Sequence, residues 1–125
     1  EQDYNSFDIK KSIEIIYGIR NFLGNANKYA KKNIYICIKS DSETSEIIIE
    51  DDGSGFSKDI LTKIGEPYIK SLRTNDNQKA GLGLGIFIGK TLLEKNYAKI
   101  LFRNSETRGG AEIKIEWKNK NLTKI

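Results

Sequence analysis

Asp51-Asp52-Gly53-Ser54-Gly55 follows, one residue later, the apolar run Ile47 to Ile49, which predicts a β-strand. A carboxylate at the end of a strand, followed by two alternating glycines, lets the backbone come close to a flat ligand. The same stretch also suits a tight turn that binds nothing. Both interpretations stay open for these five residues alone, and the flanking segments have to discriminate between them.

The segment before this stretch contains a predicted helix and a predicted strand. Residues 12–30 carry apolar side chains three or four positions apart, the spacing of one helix face, and Ser12 is a suitable N-cap. Residues 33–39 have an alternating pattern, which predicts a strand. The side chains expected on the core face of that strand are Ile34, Ile36 and Ile38.

The segment after this stretch completes the predicted fold. Residues 57–63 are expected to form a short helix, and residues 65–80, which contain the only proline, a long mobile loop. Helical spacing returns at 84–95, a hairpin is predicted from 98–104 and 111–117, and the polar residues after it are expected to fray. This order predicts the α+β class: a two-layer α/β sandwich. Its sheet is expected to be mixed, mostly antiparallel and of about five strands, with about three helices on one face.

Composition excludes several classes of protein. The 125 residues suit one domain, and no apolar run reaches the ~20 residues of a membrane span. The absence of histidine excludes a histidine general base, most zinc sites and a phosphoacceptor histidine within this chain. The net charge of +4 comes from scattered lysines rather than from a clustered nucleic-acid footprint. Since the sequence starts at Glu1 without a signal-like segment, we expect an excised piece of a longer protein.

The single cysteine, Cys37, cannot form an internal disulfide bond. It lies between Ile36 and Ile38 on the predicted strand, so we expect a small buried residue rather than a redox group. A reducing compartment fits this expectation.

Three polar residues share one face of the first predicted helix. Asn21 and Asn25 are four residues apart, and Lys28 follows after another turn. They are consistent with a polar solvent-facing side of the helix. They are also consistent with amide-oxygen ligands for a hard cation such as Mg²⁺, with Lys28 close to a phosphate.

The glycine-rich stretch Gly81-Leu82-Gly83-Leu84-Gly85 precedes the second long helical pattern. Backbone N–H groups at the start of a helix bind anions, whereas a flexible hinge would show the same composition. Two other phosphate-binding motifs are excluded by spacing. The dinucleotide motif lacks its third glycine, and the P-loop would need a glycine where Leu84 stands.

The order and spacing of these motifs resemble the Bergerat-fold (GHKL) ATP-binding domain of histidine kinases, gyrase-type topoisomerases, the Hsp90 chaperones and the MutL repair proteins. Residues 21–29 resemble the N-box in its histidine-kinase form, residues 51–55 the G1 box and residues 81–85 the G2 box. Gly109-Gly110-Ala111 occupies the place of the final glycine motif. Segments 65–68 and 83–94 further resemble the RegB/PrrB-type redox-responsive sensor kinases.

The resemblance implies roles in binding the nucleotide base and Mg²⁺. Asp51 would accept a hydrogen bond from the adenine amino group, and Tyr29 would line or stack on the base. Gly53 and Gly55 would shape the adenine pocket. The resemblance also implies that Asn25, helped by Asn21, holds Mg²⁺ against the triphosphate of ATP, with Lys28 reaching a phosphate. Asn21, Asn25 and Lys28 are accordingly the expected catalytic residues.

The resemblance also implies phosphate contacts and a lid. Gly81, Gly83 and Gly85, with the N–H groups of Leu82 and Leu84, would bind the phosphates. Residues 65–80 would form the ATP lid. Its cations are Lys70, Arg73 and Lys79. Of these, Lys79 is assigned to the nucleotide site, although solvated surface charge explains all three equally well.

One departure from the family pattern bears on the reaction. Members that hydrolyse ATP have a glutamate as general base where this chain has Asn21, and an amide cannot accept a proton near neutral pH. The resemblance therefore implies transfer of the γ-phosphoryl group to a histidine on a separate dimerisation domain of the same parent kinase. A response regulator would act downstream. The chain alone should bind ATP without phosphorylating itself.

A second departure lies in the pocket. Ala111 stands where the family usually has threonine, so a hydroxyl near Asp51 is expected to be missing and replaced by water.

Three other functions remain as alternatives. The first is a catalytically silent nucleotide-binding module that acts through protein contacts. The second is a hydrolysing ATPase, which Asn21 argues against. The third is a nucleic-acid binder, whose affinity would fall steeply with salt. The resemblance implies a cytoplasmic domain, without membrane insertion of its own, in a parent kinase anchored in the bacterial inner membrane.

Overall fold

The computed structural model describes residues 12–64 and 82–122. Its elements, in chain order, are α1 (Ile13–Tyr29), β1 (Ile34–Ser40), β2 (Thr44–Asp51), α2 (Lys58–Lys63), α3 (Leu82–Lys95), β3 (Lys99–Asn104), β4 (Ala111–Lys118) and α4 (Asn119–Leu122). The strands form one sheet in the order β1-β2-β4-β3, and every neighbouring pair is antiparallel. The α+β sandwich is confirmed. The described residues contain four strands, and their sheet is antiparallel throughout. The sequence had predicted about five strands in a mixed, mostly antiparallel sheet.

Helix α1 begins and ends where its sequence provides the signals. The side chain of Ser12 accepts a hydrogen bond from the Ile15 N–H at 3.3 Å, which confirms the predicted N-cap. Glu14 lies in the first turn and Lys28 in the last, the charge placement that the helix dipole favours. Ala30 leaves the helix with extended backbone dihedral angles.

The hydrophobic core lies between one face of the sheet and helices α1 and α3. Ile49 of β2 pairs with Ile113 of β4, and both side chains are buried. Phe22 of α1 and Leu93 of α3 are fully buried against this face. Because the two helices contact each other through glycines, their axes lie close together.

Two glycines make this helix contact possible. A Cβ on Gly18 would lie 2.6 Å from Cγ of Leu93, and one on Gly89 would lie 2.7 Å from Cε1 of Phe22. Both distances are shorter than van der Waals contact. The helix pair therefore has a fixed spacing, and α1 is held firmly over β2.

The prediction for β1 was wrong in its burial. Ile36 and Ile38 lie on the helix side of the sheet, opposite Ile49 and Ile47, yet their exposed fractions are 54% and 72%. Cys37 is also exposed rather than buried. The reason is the position of the helices: α1 packs on β2 and α3 on β3, the strand at the other edge, so neither long helix lies over Ile36 and Ile38 of β1. Alternation predicted the face correctly but could not predict whether a helix covers it.

The prediction of a frayed chain after β4 was also wrong up to residue 122. Asn119 starts the short helix α4, and its side chain donates to the Asp41 carbonyl at 2.8 Å and accepts from the Ser45 hydroxyl at 2.6 Å. Leu122 is buried. These contacts fix α4 to the turn between β1 and β2.

The predicted lid and the membrane-spanning character of the helices are the remaining points of the fold. The predicted lid, residues 65–80, lies outside the described residues. Among helices α1 to α4, none combines the length and apolar character needed to cross a membrane.

Candidate functional site

The end of β2 places a carboxylate inside the protein. Asp51 is the last residue of β2 and only 2% exposed. Its Oδ1 accepts the backbone N–H groups of Gly53 at 2.8 Å and of Ala111 at 3.3 Å. Within the described ranges, both hydrogen bonds recorded for this side chain end on Oδ1. The second oxygen, Oδ2, can therefore serve a ligand as an acceptor.

Glycines allow the backbone to close around this carboxylate. A Cβ on Gly53 would overlap the carbonyl oxygen of Tyr29, and a Cβ on Gly110 would overlap the backbone and side chain of Asp51. Gly55 has a φ of 81°, a conformation that other residues rarely adopt. The alternating glycines of the sequence are thus required by close approach and by backbone conformation.

A cavity of about 200 Å³ opens beside Asp51. Its walls come from α1, from the end of β2 with the following loop, from α2 and from the start of β4. The lining residues are Asn25, Tyr29, Asp51, Ser54, Gly55, Phe56, Ser57, Ile60 and Ala111. Apolar surface from Tyr29, Phe56 and Ile60 beside one buried acceptor suits a flat ligand that carries a hydrogen-bond donor.

The structure brings together four of the predicted site residues around this cavity: Asn25, Tyr29, Asp51 and Gly55. Sequence reasoning missed Ser54, Phe56, Ser57 and Ile60 as lining residues. A partial signal existed for Phe56 and Ile60, because Ile60 belongs to the predicted helix 57–63 and Phe56 is the apolar residue just before that helix. Ala111 brings its backbone N–H to Asp51 and, as expected from its identity, no hydroxyl.

The polar face of α1 continues from the cavity toward the start of α3. The side-chain amide of Asn21 donates to the Tyr17 carbonyl at 2.7 Å, which leaves its oxygen Oδ1 on the other side. This oxygen would lie 3.7 Å from a Cβ on Gly85, so Asn21 is adjacent to the first turns of α3. The Lys28 ammonium lies 5.5 Å from the ring centroid of Tyr29.

Helix α3 begins two residues earlier than predicted, at Leu82 rather than Leu84. Leu82 and Gly83 therefore belong to the first turn of α3. The side chain of Leu84 is 52% exposed. Lys79 and Gly81, which were also assigned to the site, lie outside the described residues.

Asp52 fixes the loop that leaves Tyr29. Its carboxylate accepts three successive backbone N–H groups, from Lys31 at 2.8 Å, Lys32 at 3.0 Å and Asn33 at 3.1 Å. The Lys32 N–H is the largest cause that lowers the pKa of Asp52 below its ordinary value. This side chain ties the end of α1 to the end of β2, the two walls on either side of the cavity.

Comparison with known proteins identifies one family. Residues 11–121 match the model of the family described as histidine kinase-, DNA gyrase B-, and HSP90-like ATPase. The sensor histidine kinase RegB of Cereibacter sphaeroides is 33% identical over an alignment of 119 residues, and the match covers 83% of this chain and 26% of that protein. The sensor protein KdpD of Clostridium acetobutylicum is 34% identical over 99 residues, 78% of this chain and 11% of that protein. This chain thus spans about a quarter or less of these two relatives.

Solved structures agree on the fold. A mycobacterial sensor histidine kinase, MprB, superposes with a TM-score of 0.68 at 20% identity and covers 88% of this chain and 76% of its own. Full-length ShkA, solved in complex with AMPPNP, gives a TM-score of 0.64 at 21% identity, covering 83% of this chain and 21% of its own.

Proposed function

The chain belongs to the family of histidine kinase-, DNA gyrase B- and HSP90-like ATPases, and from this premise we propose that it is the ATP-binding catalytic domain of a sensor histidine kinase. It binds Mg²⁺-ATP and donates the γ-phosphoryl group to a histidine on a separate dimerisation domain of the same parent kinase. The observation that carries the proposal is the buried carboxylate of Asp51. One of its oxygens accepts two backbone N–H groups, and the carboxylate lies beside a cavity to which Tyr29, Phe56 and Ile60 contribute apolar surface.

Asp51 explains a preference for adenine. Its Oδ2 is an acceptor, and adenine presents an exocyclic amino group where guanine and hypoxanthine present a carbonyl oxygen. A carbonyl opposite a buried carboxylate would leave two acceptors facing each other without a donor, which is costly in a buried site. Tyr29, Phe56 and Ile60 supply the apolar contacts for the ring.

The amide side chains of α1 fit a magnesium ion. Mg²⁺ is a hard cation that prefers oxygen ligands and keeps several waters, so Asn25 and Asn21 need to contribute only one or two. Asn21 uses its nitrogen on the Tyr17 carbonyl and so presents its oxygen. No group of three or more His, Cys, Asp or Glu side chains that could hold a metal occurs among residues 12–64 and 82–122. Bound Mg²⁺ would neutralise phosphate charge.

The start of α3 is the proposed binding site for the phosphates. Its first N–H groups have no partner within the helix and carry the positive end of the helix dipole. Gly83 and Gly85 leave room for phosphate oxygens, together with Gly81 and the N–H groups of Leu82 and Leu84. Lys28 and Lys79 are the proposed cations. The position of Asn21 beside Gly85 supports a metal and a phosphate at the same place.

Phosphoryl transfer is favoured over hydrolysis by the residue at position 21. Activation of water needs a general base, and the Asn21 amide cannot accept a proton near neutral pH. The chain contains no histidine, so the acceptor belongs to the dimerisation domain. What this chain contributes is orientation of the nucleotide and neutralisation of charge, the main requirements of phosphoryl transfer. A response regulator would receive the phosphoryl group next, and the parent would anchor this cytoplasmic domain at the bacterial inner membrane.

A transfer assay tests this proposal. The purified chain is incubated with ATP radiolabelled at the γ-phosphate, with and without the histidine-bearing dimerisation domain. We expect label on the dimerisation domain, no label on this chain, and loss of the signal in Asp51→Asn. Nucleotide binding without label transfer would favour the silent binding module. Release of inorganic phosphate without the partner would favour a hydrolase.

A further inference from the structure

Asn104, the last residue of β3, forms two hydrogen bonds with the backbone of a residue 48 positions away. Its Oδ1 accepts from the Phe56 N–H at 2.6 Å, and its Nδ2 donates to the Phe56 carbonyl at 2.8 Å. The two contacts determine the orientation of the amide, because the N–H requires an oxygen and the carbonyl requires a nitrogen. One side chain thus satisfies both backbone groups of Phe56.

The same amide lies directly against Gly55. A Cβ on Gly55 would lie 2.7 Å from Oδ1 of Asn104. On the other side, the ring of Phe56 is buried and makes an edge contact with Phe102, with centroids 6.4 Å apart. The Gly55–Phe56 segment is therefore fixed by a polar contact to its backbone and an aromatic contact to its side chain.

This segment is one wall of the cavity, whereas Asn104 itself does not line the cavity. In the sheet, Asn104 pairs with Ala111, whose N–H bonds to Asp51. Neighbouring positions of β3 and β4 thus contact two parts of the cavity lining: Ala111 contacts Asp51, and Asn104 contacts the backbone of Phe56. Because Asn104 and Ala111 are paired in the sheet, they connect Asp51 to the Phe56 segment through β3 and β4.

We propose that Asn104 is a positioning residue for base selectivity: it holds the Gly55–Phe56 wall so that a purine ring must present its amino edge to Asp51. The inference rests on the proposed nucleotide site and adds a residue that the sequence motifs did not indicate. This role requires both the acceptor oxygen and the donor nitrogen of the Asn104 amide. Alanine at this position offers neither contact, and aspartate keeps an acceptor for the N–H but places negative charge against the Phe56 carbonyl.

A purely structural role for Asn104 makes a different prediction. Loss of stability lowers the folded fraction, and this weakens the apparent binding of every nucleotide by the same factor. A displaced wall instead weakens the binding of a ligand that donates a hydrogen bond to Asp51. The binding of a ligand that cannot form this hydrogen bond is weakened less. The ratio between the affinities of these two ligands therefore distinguishes a positioning role of Asn104 from a purely structural one.

The experiment measures dissociation constants of Mg²⁺-ADP and Mg²⁺-IDP by calorimetry, at a temperature where each protein is folded. IDP has the same phosphates as ADP but a carbonyl oxygen in place of the amino group. We expect the wild type to prefer ADP. Asn104→Ala should weaken the binding of ADP about tenfold, as expected for the loss of the hydrogen bond between its amino group and Asp51, and should weaken the binding of IDP much less. Glu106→Ala, which changes an exposed residue in the following turn, should keep the wild-type ratio.

Asn104→Asp should lower the ADP preference at least as strongly as Asn104→Ala, and it provides the measurement if the alanine variant fails to fold. An unchanged ratio of the ADP and IDP affinities in a folded Asn104 variant, whether or not both affinities fall, would overturn the positioning role. Failure of the wild type to bind either nucleotide would overturn the proposed function, and the inference with it.

Discussion

The backbone N–H of Ala111 donates to Oδ1 of Asp51 at 3.3 Å, from β4 to the neighbouring strand β2. Together with the N–H of Gly53 it satisfies one oxygen of a carboxyl group that is almost fully buried. Burial of a charge is costly unless hydrogen bonds compensate for it. The sheet thus stabilises Asp51 through one oxygen and leaves the other for a ligand.

The carboxylate of Asp52 should make stability depend on pH. Its pKa is lowered in the folded protein, mainly by the Lys32 N–H, so its contribution is present above the ordinary value of 3.8 and is lost as the pH falls through the lower folded value. Asp52→Asn should therefore be less stable than the wild type at neutral pH, and the difference should shrink below pH 3.8. Urea unfolding at several pH values measures this.

Asp41→Asn is the matched comparison for Asp52→Asn. The pKa of Asp41 is also lowered, mainly by the backbone N–H of Thr44, but Asp41 lies in the turn between β1 and β2, away from the cavity. Both variants should show the same pH trend in stability. Only Asp52→Asn should also weaken nucleotide binding, because it frees the loop after Tyr29. Equal stability differences at all pH values would contradict the assigned role of the Asp52 carboxylate.

Glycines in the two long helices should respond oppositely to alanine. Nothing lies within 4 Å of a Cβ on Gly24, so Gly24→Ala should raise the free energy of unfolding by up to about 1 kcal/mol, the helix-propensity difference. Gly89→Ala meets the buried ring of Phe22 and should lower it by about 1–3 kcal/mol. Thermal and urea unfolding measure both. A loss of stability in Gly24→Ala, or a gain in Gly89→Ala, would contradict the helix packing described here.

The docked C-terminal helix should contribute to stability. Leu122→Ala removes a buried side chain and should lower the free energy of unfolding by about 2–5 kcal/mol. Leu101→Ala removes the same atoms from an exposed position on β3 and should cost much less. Urea unfolding of the two variants measures this difference, and similar values for both would indicate that α4 is not packed against the domain.

Sequence patterns predicted the elements of the fold well because the signals are local. Ser12 caps α1 as predicted, a short helix follows Ser57 as predicted, and the hairpin of β3 and β4 lies close to the expected residues. Burial at the sheet edge was not predictable, since alternation at Ile36 and Ile38 indicates a face but not a neighbour. Burial of Leu122 depends on contacts between α4 and the distant turn at Asp41, which no local pattern contains.

The candidate site was predicted in part for the same reason. Asp51 and the glycines around it carry a local motif, and Asn25 and Tyr29 lie at helical spacing on one element. Asn104 contacts Phe56 from 48 residues away and ends an ordinary strand, so its sequence context gives no indication of a role.

The most direct test of the central claim is calorimetric titration of Mg²⁺-ADP and a non-hydrolysable ATP analogue into the wild type, Asp51→Asn and Asp59→Asn. Asp59 is an exposed acid on α2 and serves as the charge-matched control. We expect saturable binding to the wild type and to Asp59→Asn, and binding weaker by about 2 kcal/mol or more in Asp51→Asn, where a donor replaces the acceptor that faces the base. Equal binding by wild type and Asp51→Asn, or no binding to a folded wild type at millimolar nucleotide, would contradict the account.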